Sequence, residues 1–253
     1  MAIEFSPDFV AIVTGAASGI GEGIAADFVR AGATVIAADI NPIAKPAADG
    51  GRLIPRTLDV TSEAGWTSLI DGIISEYGRL DCLVNVAGCV TVGGIEDLKL
   101  DAFDRMIDVN LRSIFISTQQ AIRAMKAQDG SGSIINIASA NALKAQSWTS
   151  GYAASKAAVM SLTRTSALHC AEQKYPIRIN AILPGIVRTP MVEGILASAP
   201  DREVAFAELA SAHPTGRLLE VSEIAAVATF LASPLASGIL GAGLSVDCGM
   251  TAG

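Results

Sequence analysis

The chain has 253 residues, of which 51% are hydrophobic and 17% charged, and this composition supports a large folded core and excludes a disordered chain. Its net charge of −7, with no basic block, argues against nucleic acid and anionic membrane surfaces as partners. The four cysteines lack metal-type spacing and there are two histidines, so we expect no metal site. No signal segment or membrane-spanning run is visible in the sequence. We therefore expect a cytoplasmic protein in which the cysteines are reduced thiols.

Seven short apolar runs along the chain predict β-strands. Their hydrophobicity is nearly continuous rather than alternating, which is typical of strands that are covered on both faces, as in a parallel sheet. The runs are residues 9–14, 34–39, 53–58, 82–85, 133–138, 177–183 and 244–246.

Helical patterns lie between these runs, at residues 21–31, 63–77, 102–128, 151–172 and 222–232. Alternating strands and helices predict an α/β fold, a Rossmann-type doubly wound parallel sheet of about seven strands flanked by helices. No linker interrupts the pattern, so we expect residues 1–253 to form a single domain for dinucleotide binding and catalysis. The long stretch without a strand, about 186–220, predicts a mostly helical lid over the substrate.

A glycine-rich turn follows the first strand. Gly15, Gly19 and Gly21 have the spacing that suits a tight turn, close approach of a pyrophosphate, and packing of the next helix against the strand. The amino end of that helix offers N–H groups and a positive dipole end to phosphates. In an acidic protein this is the natural way to hold a dinucleotide.

Asp39 ends the second strand, where a carboxylate suits a ribose 2′-hydroxyl and repels a 2′-phosphate. No Arg or Lys stands in the glycine turn or directly after Asp39 to offset that charge. The sequence therefore favours NAD over NADP. The alternative is that Asp39 only begins a turn before Asn41 and Pro42.

Tyr152 and Lys156 are four residues apart on a predicted helix, so they project from the same face. An ammonium beside a phenol favours the phenolate and lowers the pKa of the tyrosine. Ser139 ends the preceding strand and is placed to polarise a carbonyl. Such pairs also arise by chance, so the surrounding motifs decide the interpretation.

Together these motifs resemble the short-chain dehydrogenase/reductase family over essentially the whole chain. The segments that carry the resemblance are Thr14 to Gly21, Asp59-Val60, Asn85-Val86-Ala87-Gly88, Asn110, Ser139, Tyr152, Lys156 and Pro184 to Thr189. Two departures stand out. Val86 replaces a usual asparagine, which puts a strand-supporting hydrogen bond in doubt, and Cys248 stands where glycine is common.

The resemblance implies hydride transfer between a nicotinamide and a secondary alcohol or ketone. Tyr152 would be the acid/base, Lys156 would lower its pKa and bind the ribose, Ser139 would bind the substrate oxygen, and Asn110 would support a water that links Lys156 to solvent. The expected cofactor-binding residues are Gly15, Ser18, Gly19, Ile20, Gly21, Asp39, Asp59, Val60, Asn85, Ala87, Gly88, Tyr152, Lys156, Pro184, Gly185, Val187 and Thr189.

The sequence carries a weaker signal for the residues that bind substrate than for those that bind the cofactor. Asn141, Trp148, Ile186 and Met191 are candidates, and apolar residues in the lid favour a hydrophobic or cyclic secondary alcohol, such as a hydroxysteroid or cycloalkanol. His169 and His213 are poor catalytic candidates, although His213 could touch substrate. The alternatives are a 3-oxoacyl-carrier-protein reductase and, in a different class, a non-catalytic dinucleotide-binding regulator. The resemblance also implies a homotetramer or dimer.

Overall fold

The computed structural model describes residues 3–43, 51–128 and 130–253, and these form one seven-stranded parallel sheet with helices on both faces. The strand order is β3-β2-β1-β4-β5-β6-β7, so the predicted fold class is confirmed. The strands are β1 (Val10–Thr14), β2 (Thr34–Asp39), β3 (Arg52–Thr57), β4 (Cys82–Asn85), β5 (Gly132–Ile137), β6 (Ile177–Pro184) and β7 (Gly243–Val246).

Eight α-helices connect and flank the strands in the described part of the chain. They are α1 (Gly19–Arg30), α2 (Glu63–Tyr77), α3 (Leu100–Ile107), α4 (Ser113–Met125), α5 (Ser150–Glu172), α6 (Pro190–Ser198), α7 (Arg202–Ser211) and α8 (Val221–Ala232). None of these helices is long and apolar enough to cross a membrane.

The apolar strands lie between two packed layers, as their continuous hydrophobicity predicts. Every residue of β1, β4 and β5 is buried. Phe28 of α1 is fully buried in the layer on one face, and Trp66 of α2 is fully buried in the layer on the other. The central strands therefore have fixed positions, and the residues that follow their carboxyl ends are held on a rigid base.

The order of the strands reverses direction between β1 and β4, where the connections from the two strands leave toward opposite sides. In doubly wound sheets a crevice opens at such a point, beyond the carboxyl ends of the strands. The glycine turn after β1 and the segment after β4 both lie at this crevice, and β2 ends beside it at Asp39.

The predicted continuous helix 102–128 is wrong in one respect. The helical run begins at Leu100 and ends at Met125, and a π-helical turn at Asp108–Arg112 separates α3 from α4. A π-turn inserts one extra residue, which apolar periodicity does not reveal, and such turns often occur at functional sites. Asn110 stands at the centre of this turn.

The predicted lid segment, residues 186–220, contains α6 and α7 and returns beside β6. Asp201 caps α7 by accepting hydrogen bonds from the N–H groups of Glu203 and Val204 at 2.9 and 3.1 Å. Val187 and Leu219 pair in a short parallel bridge. The two ends of the segment are thereby joined at its base.

Candidate active site

A cleft of about 560 Å³ opens at the carboxyl ends of the strands. Every predicted cofactor residue except Asn85 lines it, as do Ser139 and the four predicted substrate residues. The lining members of the predicted set are Gly15, Ser18, Gly19, Ile20, Gly21, Asp39, Asp59, Val60, Ala87, Gly88, Ser139, Asn141, Trp148, Tyr152, Lys156, Pro184, Gly185, Ile186, Val187, Thr189 and Met191.

The glycine turn is built for close approach. Gly15 has a φ of +64°, which favours glycine, and a Cβ on Gly21 would lie 2.2 Å from the carbonyl oxygen of Gly15. The turn leads directly into α1 at Gly19, so backbone N–H groups at a helix amino end face the cleft. Such a cradle fits the diphosphate of a dinucleotide.

Asp39 borders this cradle with a half-buried carboxylate. Its Oδ2 accepts the N–H of Ala17 at 3.1 Å, and its Oδ1 accepts both the backbone and side-chain N–H groups of Asn41 at 2.9 and 3.1 Å. The carboxylate is therefore fixed beside the glycine turn and is more than the start of a turn before Asn41. A phosphate placed here would meet a negative charge.

Asp59 follows β3 and lines the same arm of the cleft as the glycine turn and Asp39. Its Oδ1 accepts hydrogen bonds from the hydroxyl and backbone N–H of Thr61, at 2.7 and 2.9 Å, and these bonds lower the pKa of Asp59. Arg105 of α3 also lines the cleft and acts on Asp59 in the same direction. No sequence motif marked Arg105 as a residue of the cleft.

Tyr152 and Lys156 project from the first turns of α5 into the centre of the cleft. Lys156 Nζ lies 5.7 Å from the centre of the Tyr152 ring and donates a hydrogen bond to the carbonyl oxygen of Ile137 at 2.8 Å. Ser139 stands two residues after Ile137, and its Oγ accepts the N–H of Asn141 at 3.1 Å. The end of β5 thus positions both the lysine and the serine.

Burial dominates the ionisation of this pair. It raises the pKa of Tyr152, although hydrogen bonding to Ser139 acts in the opposite direction, and it lowers the pKa of Lys156 to about 8. In the protein alone the pKa of Tyr152 is not lowered, because the loss of solvent outweighs the neighbouring groups. Further positive charge in the cleft is needed to favour the phenolate.

Asn85 differs from its predicted role. Its side chain is buried below the cleft, where Nδ2 donates to Asn136 Oδ1 at 2.9 Å and Oδ1 accepts the hydroxyl of Ser117 at 2.8 Å. Asn136 continues the chain of bonds to the hydroxyl of Thr163 in α5 at 2.9 Å. Asn85 therefore ties the sheet to α4 and α5 and does not reach the cleft.

Asn110 also lies behind the cleft wall and is fully buried. Its Oδ1 accepts the N–H of Cys89 at 2.8 Å, and its Nδ2 donates to the carbonyl oxygen of Cys89 at 2.9 Å and to Ser155 Oγ at 3.1 Å. These bonds occupy the side chain and give it a supporting role in the cleft wall, while the water that links Lys156 to solvent stays a prediction.

The strand support that Val86 puts in doubt comes from Thr14 instead. The Thr14 hydroxyl accepts the N–H groups of Val86 and Ala87, at 2.9 and 3.1 Å. This residue pairs the end of β1 with the segment after β4, so the floor of the cleft keeps its shape without a second asparagine.

The other arm of the cleft is mainly apolar. Trp148 and Met191 are about half exposed there, and the side-chain amides of Asn141 and Gln146 lie 3.5 Å apart. Sequence reasoning missed several residues of this arm, because they become neighbours only in the fold. They are Val90, Val92, Gln146, Leu209 and Met250.

His213 lies in the lid segment but does not line the cleft. It is buried, and its Nε2 accepts the N–H of Ile186 at 3.0 Å, while the exposed His169 lies near the far end of α5. The expectation that His213 touches substrate is therefore wrong. No cluster of potential metal ligands occurs among the described residues.

Comparison with known proteins agrees with this architecture. A family model described as enoyl-(acyl carrier protein) reductase matches residues 15–251. The chain is 39% identical to a 3-beta-hydroxysteroid dehydrogenase of Comamonas testosteroni over 94% of each chain. It is 36% identical to a cyclopentanol dehydrogenase of Comamonas sp. strain NCIMB 9872 over 97% of this chain and 98% of that one.

The ligand-free aldohexose dehydrogenase of Thermoplasma acidophilum has a similar structure, with a TM-score of 0.89 and 36% identity over 97% of this chain and 95% of that one. The matches span nearly the whole length of both proteins, and they agree with the sheet order and with the glycine turn at the cleft. The chain belongs to the short-chain dehydrogenase/reductase family of oxidoreductases, whose dehydrogenases use nicotinamide cofactors.

Proposed function

We propose that the protein is an NAD-dependent dehydrogenase that interconverts a neutral, hydrophobic or cyclic secondary alcohol and its ketone. One observation carries this proposal. Tyr152, Lys156 and Ser139 meet in the same cleft that holds the glycine turn and Asp39. The similar hydroxysteroid and cyclopentanol dehydrogenases act on cyclic secondary alcohols, as their names state.

Tyr152 moves the proton in this reaction. NAD, when bound, would accept the hydride in alcohol oxidation and would add positive charge to the cleft. The phenolate of Tyr152 takes the hydroxyl proton of the alcohol as hydride leaves the carbon, and in ketone reduction the neutral phenol returns it. Lys156 favours the phenolate through its charge when it is protonated.

Ser139 binds the oxygen that reacts. Its Oγ already accepts the N–H of Asn141, and its own hydrogen, which is within reach of Tyr152, can instead be donated to a substrate oxygen between the two residues. Donation to the substrate oxygen stabilises the negative charge that develops there. Lys156 uses one N–H for Ile137, which leaves two donors for the cofactor ribose.

The position of Asp39 supports NAD over NADP. The fixed carboxylate at the end of β2 can accept hydrogen bonds from ribose hydroxyls and repels a 2′-phosphate. Among the described residues, the charged groups that line the cleft are Asp39, Asp59, Arg105 and Lys156, and Arg105 interacts with Asp59. These residues therefore offer little positive charge to offset the repulsion between Asp39 and a 2′-phosphate.

The apolar arm supports a neutral substrate. Among the described residues that line it, the polar groups are the amides of Asn141 and Gln146 and the hydroxyl of Thr149. Val92, Trp148 and Met191 supply apolar surface. We infer a substrate with an apolar ring system and, beyond the reacting carbon, at most an uncharged hydrogen-bonding group.

A second candidate is a 3-oxoacyl-carrier-protein reductase, because a relative from Thermotoga maritima with that name is 36% identical over 95% of this chain. Asp39 disfavours it, because we expect such reductases to use NADPH. The lack of a basic block for an acidic carrier protein also disfavours it. A non-catalytic regulator would have no need for Tyr152, Lys156 and Ser139 together.

Turnover with a panel of alcohols tests the proposal. NAD reduction is measured with cycloalkanols, hydroxysteroids, aldoses and 3-hydroxyacyl thioesters, for the wild type and Tyr152→Phe. We expect activity with a cyclic alcohol and a loss of about 10²–10⁴-fold in the variant. Tight NAD binding without turnover of any alcohol would favour the regulator, and preference for a thioester with NADPH would favour the reductase.

We also propose that the domain assembles in the cytoplasm as a homotetramer or dimer. Phe115 of α4 and Leu168 of α5 are more than half exposed and add apolar surface to the two long helices. Light scattering after size-exclusion chromatography measures the mass directly, and a 25.9 kDa particle would exclude the assembly.

A further inference from the structure

His213 joins two parts of the chain that border the cleft. It follows α7 in the lid segment, and its Nε2 accepts the N–H of Ile186, which comes two residues after the end of β6. The backbone of His213 is also fixed, because its N–H donates to Ala210 at 3.1 Å and its carbonyl oxygen accepts from Gly216 at 2.8 Å. The imidazole therefore has little freedom to move.

The packing around this bond is close. A Cβ on Gly185 would lie 2.5 Å from His213 Nε2 and 3.0 Å from the Cα of Asp247. A Cβ on Gly249 would lie 3.3 Å from Pro214, the next residue after His213. The end of β6, the end of the lid segment and the turn after β7 thus meet at one point behind the cleft.

The bond from Ile186 defines the chemical state of the ring. Nε2 can accept a hydrogen bond only when it carries no proton, so the imidazole is neutral and its proton is on Nδ1. Burial lowers the pKa of His213, and the charge of Arg217 acts in the same direction, whereas a backbone contact with Arg217 and the charge of Asp247 oppose this. Imidazolium has no acceptor and would break the bond.

The segment that this bond holds borders the cleft. Pro184, Gly185, Ile186, Val187 and Thr189 all line it. The N–H of Gly185 donates to Val246 at 3.0 Å and the N–H of Arg188 donates to Leu219 at 2.8 Å, so Ile186 lies between two anchored neighbours. His213 supplies a side-chain acceptor for the N–H of Ile186, between these two anchored residues.

We propose that His213 is a positioning residue, whose neutral imidazole fixes residues 184–189 in the conformation that receives the nicotinamide half of the cofactor. The inference rests on the proposed function for the identity of the ligand, whereas the hydrogen bond itself can be tested without any ligand. His213 contacts neither substrate nor the reacting atoms in this role.

Two substitutions separate the acceptor from the bulk of the ring. His213→Gln can keep an acceptor for the N–H of Ile186 and does not titrate, whereas His213→Phe keeps a ring and removes the acceptor. His169→Gln is the matched control, since His169 is exposed on α5 and far from this junction. Hydrogen exchange of the Ile186 amide and NADH binding, followed by fluorescence, are measured for each protein.

In His213→Phe we expect exchange at Ile186 and the Kd for NADH to rise roughly fivefold to tenfold, because one hydrogen bond is lost. His213→Gln and His169→Gln should stay near the wild type at neutral pH. As the pH falls through the lowered pKa of His213, the protection of the Ile186 amide, measured against the intrinsic exchange rate at the same pH, should decrease in the wild type and in His169→Gln but not in His213→Gln.

Unchanged exchange at Ile186 in His213→Phe would overturn the proposal, and so would the same acid response in His213→Gln as in the wild type. If His213→Phe does not fold, as judged by circular dichroism, the comparison of pH responses decides by itself. Wild-type protein that binds no NADH would overturn the proposed function, while the exchange data would still test the hydrogen bond.

Discussion

Asn110 pairs its side-chain amide with both backbone groups of Cys89, at 2.8 Å to the N–H and 2.9 Å to the carbonyl oxygen. The π-turn within the long helical run directs the side chain to this position. A Cβ on Gly88 would lie 3.2 Å from Asn110 Oδ1 and 3.6 Å from Lys156 Nζ, so this pairing shapes the wall next to the lysine.

The Asn110 pairing predicts a graded series of variants. Asn110→Leu leaves both groups of Cys89 without a partner and should lower the free energy of unfolding by about 2–4 kcal/mol. Asn110→Asp keeps the acceptor but sets a carboxylate against a carbonyl oxygen, so its free energy of unfolding should lie between those of the wild type and Asn110→Leu. Urea denaturation measures both, and Gln120→Leu, which loses a 3.4 Å contact to Thr67, is the control. Equal stability of all three variants would contradict this role.

The ionisation of Tyr152 and Lys156 predicts opposite pH dependences for the two directions of reaction. Burial raises the pKa of Tyr152, so little phenolate exists at neutral pH. Oxidation needs the phenolate, so its rate should increase as the pH rises above neutral. Ketone reduction needs the neutral phenol and a charged Lys156, whose pKa is about 8, so its rate should fall above that pH. Initial rates of both directions across pH give the test. A rate of oxidation that is highest at acid pH would contradict the assignment.

Removing the carboxylate of Asp39 should change cofactor preference. Asp39→Ser abolishes repulsion of a 2′-phosphate, so the kcat/KM for NADP should rise by about tenfold or more while that for NAD falls, since 1.4 kcal/mol corresponds to a factor of ten. Asp71→Asn makes a matched change of charge on the exposed side of α2 and should leave both values unchanged. A preference for NADP in the wild type would refute the role of Asp39.

Cys248 adopts a φ of +50°, in the left-handed region that favours glycine. The family resemblance leads us to expect glycine at this residue, and the backbone of Cys248 has the conformation suited to glycine. Cys248→Gly should therefore raise the free energy of unfolding by about 1 kcal/mol, after the entropy cost of glycine is subtracted. Thermal or urea denaturation measures the change, with Cys89→Ala as the control for loss of a half-buried thiol. A less stable Cys248→Gly protein would show that the side chain compensates for the strain.

The sequence predicted the strands to within about two residues at each end, because buried parallel strands have a continuous apolar signal and the glycine turn marks the start of α1. It also predicted which residues line the cofactor arm of the cleft, since these follow strand ends at one edge of the sheet. It failed for Asn85 and Asn110, because the direction of a polar side chain at a strand end or in a π-turn depends on neighbours that are distant in the chain. For the same reason, the sequence did not predict that Gln146, Leu209 and Met250 line the cleft.

The two edges of the sheet are not equivalent. Pro55 removes a main-chain donor from β3, and the exposed guanidinium groups of Arg52 and Arg56 add charge to the same strand. The four residues of β7, Gly243–Val246, contain neither proline nor charge. Addition of a foreign strand is thus discouraged at β3, while β7, the other edge strand of the described sheet, has no such feature. Continued joining of molecules through their sheets requires both edge strands, so the proline and arginines of β3 are sufficient to prevent it.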